Sequence, residues 1–429
     1  MNQPTSLGRR DVLKAGVAGA GLSALAGCST KLKGSGTSNS KTIRIGYVSP
    51  RTGPLASFAA ADNFVLKEIR DALRKGVKVG GSTRGVKIVV KDSQSSSTRA
   101  AEVARSLIFS DKVDMILTSS TPDTTNPVAD QCEANGMPCV STIAPWEAWY
   151  FGRGAKPGKA FTYTTMFFFG MAQFTELFVN LWNRVGTDKK VGTLWPNDTD
   201  ANAFREAFPS AMQKAGYSMV DAGAYQDGIS DFSAPIATFK RGGAELFTTT
   251  PLPPDFNTFW RQAAQQGYRP RLATVAKVLL FPSEAEALGS LVNNVAVGGW
   301  WTPTFPYRST LTGMTAKQLA DAFTRDTGKQ WTQALGSIYA LFEIAKEAFS
   351  SVDDPHDRRA VAHALTTMKI EGMCGPLDFA HGPVPGVAVQ KVAGVQWRKG
   401  KDFPWDLYVV DNSTFPDVPL AGDLQPTTA

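Results

Sequence analysis

The chain alternates two hydrophobic patterns. Short runs carry apolar residues at every second position, or are β-branched throughout. Longer runs place apolar residues three and four apart. The first spacing is that of strands and the second that of helices. Residues 43–48 predict a first strand. Residues 60–74 predict a helix with Phe64, Leu66, Ile69 and Leu73 apolar. Strands follow at 86–91, 113–117 and 137–141, separated by helices at 97–109 and 126–135. The rhythm then restarts: helices at 172–185, 201–215, 234–241 and 256–266 interleave with strands at 190–195, 218–224, 246–250 and 271–276. Two helical stretches, 328–349 and 357–368, and two β-like pieces, 387–392 and 406–410, close the chain. Alternating β and α runs predict parallel sheets covered by helices on both faces, and two such series predict two α/β lobes.

The first 28 residues stand outside this rhythm. Arg9 and Arg10 precede a mild apolar stretch, residues 15–26, too short and too rich in glycine and alanine to span a bilayer. A charged segment followed by an apolar one is the order of an export signal. GRRDVLK resembles the twin-arginine signal. Leu25-Ala26-Gly27-Cys28 resembles the lipobox of bacterial lipoproteins, although an ordinary signal with a chance cysteine has the same order. The resemblance implies an export signal at 1–27 and a lipidated Cys28 heading a flexible tether, 28–42. Its lysines Lys31, Lys33 and Lys41 suit anionic headgroups. Each buried acyl methylene adds about 0.8 kcal/mol of anchoring. The expected location is the cell envelope, exported and lipid-anchored.

Composition narrows the function. The net charge is +7, and losing Arg9, Arg10, Lys14 and Asp11 with the leader brings it near +5. No basic block with interleaved aromatics appears, so no nucleic-acid partner is expected. Past Cys28 only Cys132, Cys139 and Cys374 remain, which is no disulfide framework; Cys132 and Cys139 suit a pair or two buried thiols equally. His356, His363 and His381 sit in no metal-binding pattern, and neither a GxSxG elbow nor a Walker loop occurs. No enzyme, metal or cofactor is expected.

Five motifs then fall in order behind the export signal: IRIGYVSPRTGPLA, RGVKIVVKDSQSSSTRAAEVARSLIFSDKVDMIL, TSSTPDTTNPVADQCEANGMPCVS, DGISDFSAPIATFKRGGAELF and CGPLDF. Together they resemble the Leu/Ile/Val-binding family of type I periplasmic binding proteins, over about residues 43–410. The resemblance implies two Rossmann-like lobes with parallel sheets joined by three crossovers. Lobe I would hold 43–165 and 301–375, lobe II 166–300 and 376–420, with a ligand in the cleft between. It also implies a monomer that delivers a small molecule to an inner-membrane ABC permease. The alternative is a ligand sensor lipoprotein acting on a membrane receptor.

Carried over by position, Ser119, Ser120 and Thr121 fall where the family holds a ligand carboxylate, and Phe58 where an aromatic covers the ligand. Two positions depart from the family. Ile143-Ala144-Pro145 stands where Ala-Ala-Thr is usual, and proline offers neither N–H nor hydroxyl. Lys277 follows the strand ending near Ala276, where the family has the acid that meets an ammonium. Asp200 roughly replaces a family tyrosine. These departures predict that leucine, isoleucine and valine bind poorly, because an unpaired buried ion is costly. Trp146, Trp149, Trp195 and the Trp300-Trp301 pair predict a ring-lined cleft for an aromatic or other organic acid whose carboxylate meets Lys277. Packing of the same rings inside the lobes is the competing reading.

Overall fold

The computed structural model describes residues 41–427. The expected export signal and the expected lipidation site, Cys28, lie outside them. Six strands open the described chain: β1 (Thr42–Ser49), β2 (Val77–Val79), β3 (Ser82–Asp92), β4 (Met115–Ser119), β5 (Cys139–Thr142) and β6 (Thr164–Phe167). A second series follows: β7 (Lys190–Pro196), β8 (Ser218–Tyr225), β9 (Leu246–Thr249), β10 (Leu272–Val275) and β11 (Ala296–Gly299). A small hairpin, β12 (Lys369–Gly372) and β13 (Gly375–Asp378), precedes β14 (Val387–Ala388), β15 (Ala393–Lys399) and β16 (Trp405–Asp411).

Two seven-stranded sheets result, in the orders β14-β6-β5-β4-β1-β3-β2 and β16-β15-β11-β10-β9-β7-β8. Pairing is parallel in the middle of both and antiparallel where β2, β15 and β16 join. Strand β4, MILTS, and strand β6, TTMF, are buried at every position. That is the signature of a parallel strand covered on both faces, and it lacks the alternation that marks a half-exposed strand. The chain passes between the sheets three times: from β6 to β7, from β11 to the buried helix Ala334–Ser350 packed on the first sheet, and from β14 to β15.

The last passage differs from the sequence reading. Residues 387–392 read as one strand, and everything after 376 was expected in the second lobe. Instead Val387 and Ala388 pair with Met166 and Phe167 in the first sheet, and the chain crosses before Ala393 pairs with Gly299 in the second. The β-like pattern runs unbroken through the change of sheet, so it carries no sign of it. The helix Ala316–Thr327 also went unread, although Thr315 and Gln318 form a reciprocal capping box, the T-x-x-Q signature of a helix start.

Candidate ligand-binding cleft

In each sheet the strand order reverses beside the first strand of its series, at β1 and at β7. Ligands in open α/β sheets collect beyond the carboxyl ends of strands at such reversals. The loops there are strained. Ser120 after β4 has φ 111°, Ile143 after β5 has φ 58° and Lys277 after β10 has φ 65°. A β-branched residue such as Ile143 is an outlier in this region. Strain of about 1–3 kcal/mol per residue is retained where the surroundings impose it, and it collects at binding sites.

These loops close around a narrow cavity of about 40 Å³. Six rings line it: Phe58, Phe168, Phe169, Phe174, Phe204 and Trp300. Phe168 meets Trp300 edge-on at 5.2 Å between centroids, and Phe58 meets Phe281 of the other lobe at 4.9 Å. Thr121, Thr250, Asp200 and Lys277 supply the polar part of the wall. Thr121 Oγ1, Thr250 Oγ1, Asp200 Oδ1 and Trp300 Nε1 are buried without a hydrogen-bond partner among the described residues. Leaving such a group unmatched costs about 1–3 kcal/mol, so four along one cavity mark a surface built to be completed.

Charge is concentrated on one side. Lys277 Nζ lies 2.6 Å from Asp198 Oδ2 and 3.1 Å from Asp200 Oδ2, with all three side chains buried. Burial alone would lower the Lys277 pKa, but Asp200, Asp198 and Asp123 hold it above the ordinary lysine value. Burial pushes the Asp200 carboxyl up to about 7; Lys277 opposes this, and Asp198 and Asp123 add to it. Asp198 also caps the helix Thr199–Lys214, accepting the N–H of Ala201 at 2.9 Å.

Of the residues expected at the site, Phe58, Thr121, Asp200 and Lys277 line the cavity, and the others take different places. The Ser119 hydroxyl is 3.2 Å from the Tyr47 hydroxyl, which donates to buried Asp62. Ser120 is buried beside the wall with its hydroxyl unpartnered. Ala144 gives way to its neighbours Ile143 and Pro145, which line the cavity. Trp146 packs against Tyr150 and Phe151, with its indole beside Gly170. Trp195 is wholly buried, stacked on Phe204 at 5.4 Å. Lys277 is matched by two carboxylates within the protein, so the expected free cation for a ligand acid is not what stands there. Trp149 donates to Ser141 and lies under the Arg153 guanidinium at 4.5 Å. Trp300 lines the cavity while Trp301 packs on Trp331. Phe168 and Phe169 were missed with strand β6, which they follow; the FFF run ahead of Gly170 was their signal.

The chain is similar to known proteins over most of its length. The family profile described as periplasmic binding protein matches residues 42–402. A Leu/Ile/Val-binding protein homolog of Brucella melitensis is 25% identical over 351 residues, 79% of this chain and 87% of that protein. The branched-chain amino acid transporter substrate-binding protein LivJ of Streptococcus pneumoniae, solved with isoleucine, superposes with a TM-score of 0.70 at 17% identity, covering 86% of this chain and 99% of that one. A solute-binding protein of an ABC transporter from R. palustris, solved with 4-hydroxybenzoate, superposes with a TM-score of 0.69 at 18% identity, covering 90% of this chain and 98% of that one. At these identities the two solved structures establish the shared fold.

Proposed function

The chain belongs to the periplasmic binding protein family, as a substrate-binding protein of the ABC transporter type, and we propose that its ligand is a compact aromatic molecule enclosed between the lobes. The observation that carries this reading is the cavity wall: six rings around four unpartnered polar atoms. Rings offer a π-face to an aromatic ligand at about 0.5–1.5 kcal/mol per pair beyond burial. The polar atoms fix its orientation.

Plain branched-chain amino acids fit this wall poorly. The usual hydroxyl donor after β5 is replaced by Pro145, and the carboxylates beside the cavity are already engaged by Lys277. The R. palustris neighbour with its hydroxybenzoate is consistent with a fold that takes aromatic ligands. The leader motifs support export and anchoring through Cys28, which would keep the protein at the membrane beside its permease.

A thermal-shift screen tests the reading. Amino acids, amides, single-ring aromatics and aliphatic acids are compared at equal concentration. A ligand at a hundred times its Kd stabilises by about 2.7 kcal/mol. The expected hits are single-ring aromatics; a screen in which only aliphatic amino acids stabilise the protein contradicts it.

A further inference from the structure

Resting on the ring-lined cleft proposed above, we infer that Asp200 determines specificity, selecting an aromatic ligand that carries an uncharged hydroxyl over the same ring carrying a carboxylate. Asp200 is 3% exposed and lines the cavity. Its Oδ2 is held 3.1 Å from Lys277 Nζ, which fixes the carboxyl, and its Oδ1 has no partner. A fixed, buried oxygen left without a partner on a cavity-lining side chain is suited to recognition.

The surrounding charge decides what it recognises. Lys277 is the one cationic side chain lining the cavity among the described residues, and Asp198 and Asp200 already match it. Asp123 and Asp227 lie close enough to act on the same cluster. A ligand carboxylate would therefore enter a field with more negative than positive groups and find no free cation. An anion buried without its counter-charge is strongly disfavoured.

The rest of the polar wall is neutral: the hydroxyls of Thr121 and Thr250 and the Trp300 indole N–H. A hydroxyl both donates and accepts, so it can pair with Asp200 in either protonation state and with a threonine as well. A carboxylate only accepts, and could pair with Asp200 only when Asp200 holds a proton.

The test is calorimetric titration of the protein at pH 7 with two probes of matched shape: 4-methylphenol and 4-methylbenzoate. The expected result is that the phenol binds at least tenfold tighter than the benzoate. Asp200→Ala should weaken the phenol about tenfold and narrow its lead over the benzoate, since part of the Lys277 charge is released. Asp200→Asn, which keeps the shape and the hydrogen-bonding groups, should retain most of the phenol affinity. Equal or tighter binding of the benzoate by the unaltered protein overturns the inference and leaves the aromatic cleft standing. So does an unchanged phenol-to-benzoate ratio in Asp200→Ala. If no aromatic probe binds, the inference and the aromatic cleft fall together.

Discussion

The Thr199 hydroxyl donates to Asp123 Oδ1 at 2.8 Å, across the cleft from one lobe to the other. Thr199 begins the helix after β7, and Asp123 lies in the first turn of the helix after β4. The two helix starts are thus tied directly, as the Phe58–Phe281 contact ties two rings from the two lobes. A hinged receptor gains affinity from contacts present only when it is closed. Thr199→Val should weaken ligand binding about three- to tenfold, the equivalent of one net hydrogen bond of about 0.5–1.5 kcal/mol. Melting of the ligand-free protein should change little. Titration of both proteins checks this; equal affinities would remove the contact from closure.

The first passage between the sheets depends on Gly170. Its backbone is extended at φ −130°, and a Cβ there would lie 2.2 Å from Glu147 Oε2 and 2.3 Å from Trp146 Nε1. Glu147 in turn accepts the Met171 N–H at 2.9 and 3.0 Å, capping the helix Met171–Asn183 from the opposite side of the passage. Gly170→Ala must displace both groups, and overpacking of this kind costs about 1–3 kcal/mol. Chemical denaturation should show that loss. Undiminished stability would mean that the passage is looser than its geometry.

Stability should fall as pH rises from 5 to 8. Burial raises Asp62 to about 6, Glu147 and Asp200 to about 7 and Glu284 to about 8. A carboxyl raised on folding binds more protons in the native state between its unfolded and folded pKa values. Its contribution is complete below about pH 4 and is lost as pH passes through 6–8. Asp378, lowered to about 2 by its Lys369 and His381 partners, acts only at the acid end, as does lowered Asp92. Melting curves should therefore show a Tm at least a few degrees higher at pH 5 than at pH 8. A Tm that rises over this interval would contradict the assigned burial of these acids.

Much of the two-lobe fold was legible because β and α periods alternate over nearly the whole chain. What escaped was local and has local causes. Strand β6 is buried on both faces, so TTMF shows no alternation, and Phe168 and Phe169 were lost with it. The tryptophans misled for a different reason. Trp146, Trp149 and Trp195 follow or end strands near the cleft, but a ring at a strand end can turn inward as readily as outward. Trp149 and Trp195 are fully buried while Trp300 reaches the cavity. The Lys277–Asp198–Asp200 cluster joins residues from two separate strand ends, and no local pattern announces such a pairing. Lys277 after β10 stands where the resemblance implies an acid. The carboxylates that match it come from beyond β7.

The most direct test of the ring-lined cleft is calorimetric titration of the protein with leucine beside a single-ring aromatic alcohol. The account expects micromolar or tighter binding of the aromatic compound and leucine binding weaker than millimolar. Micromolar leucine binding, with no heat from the aromatic compound, would contradict it.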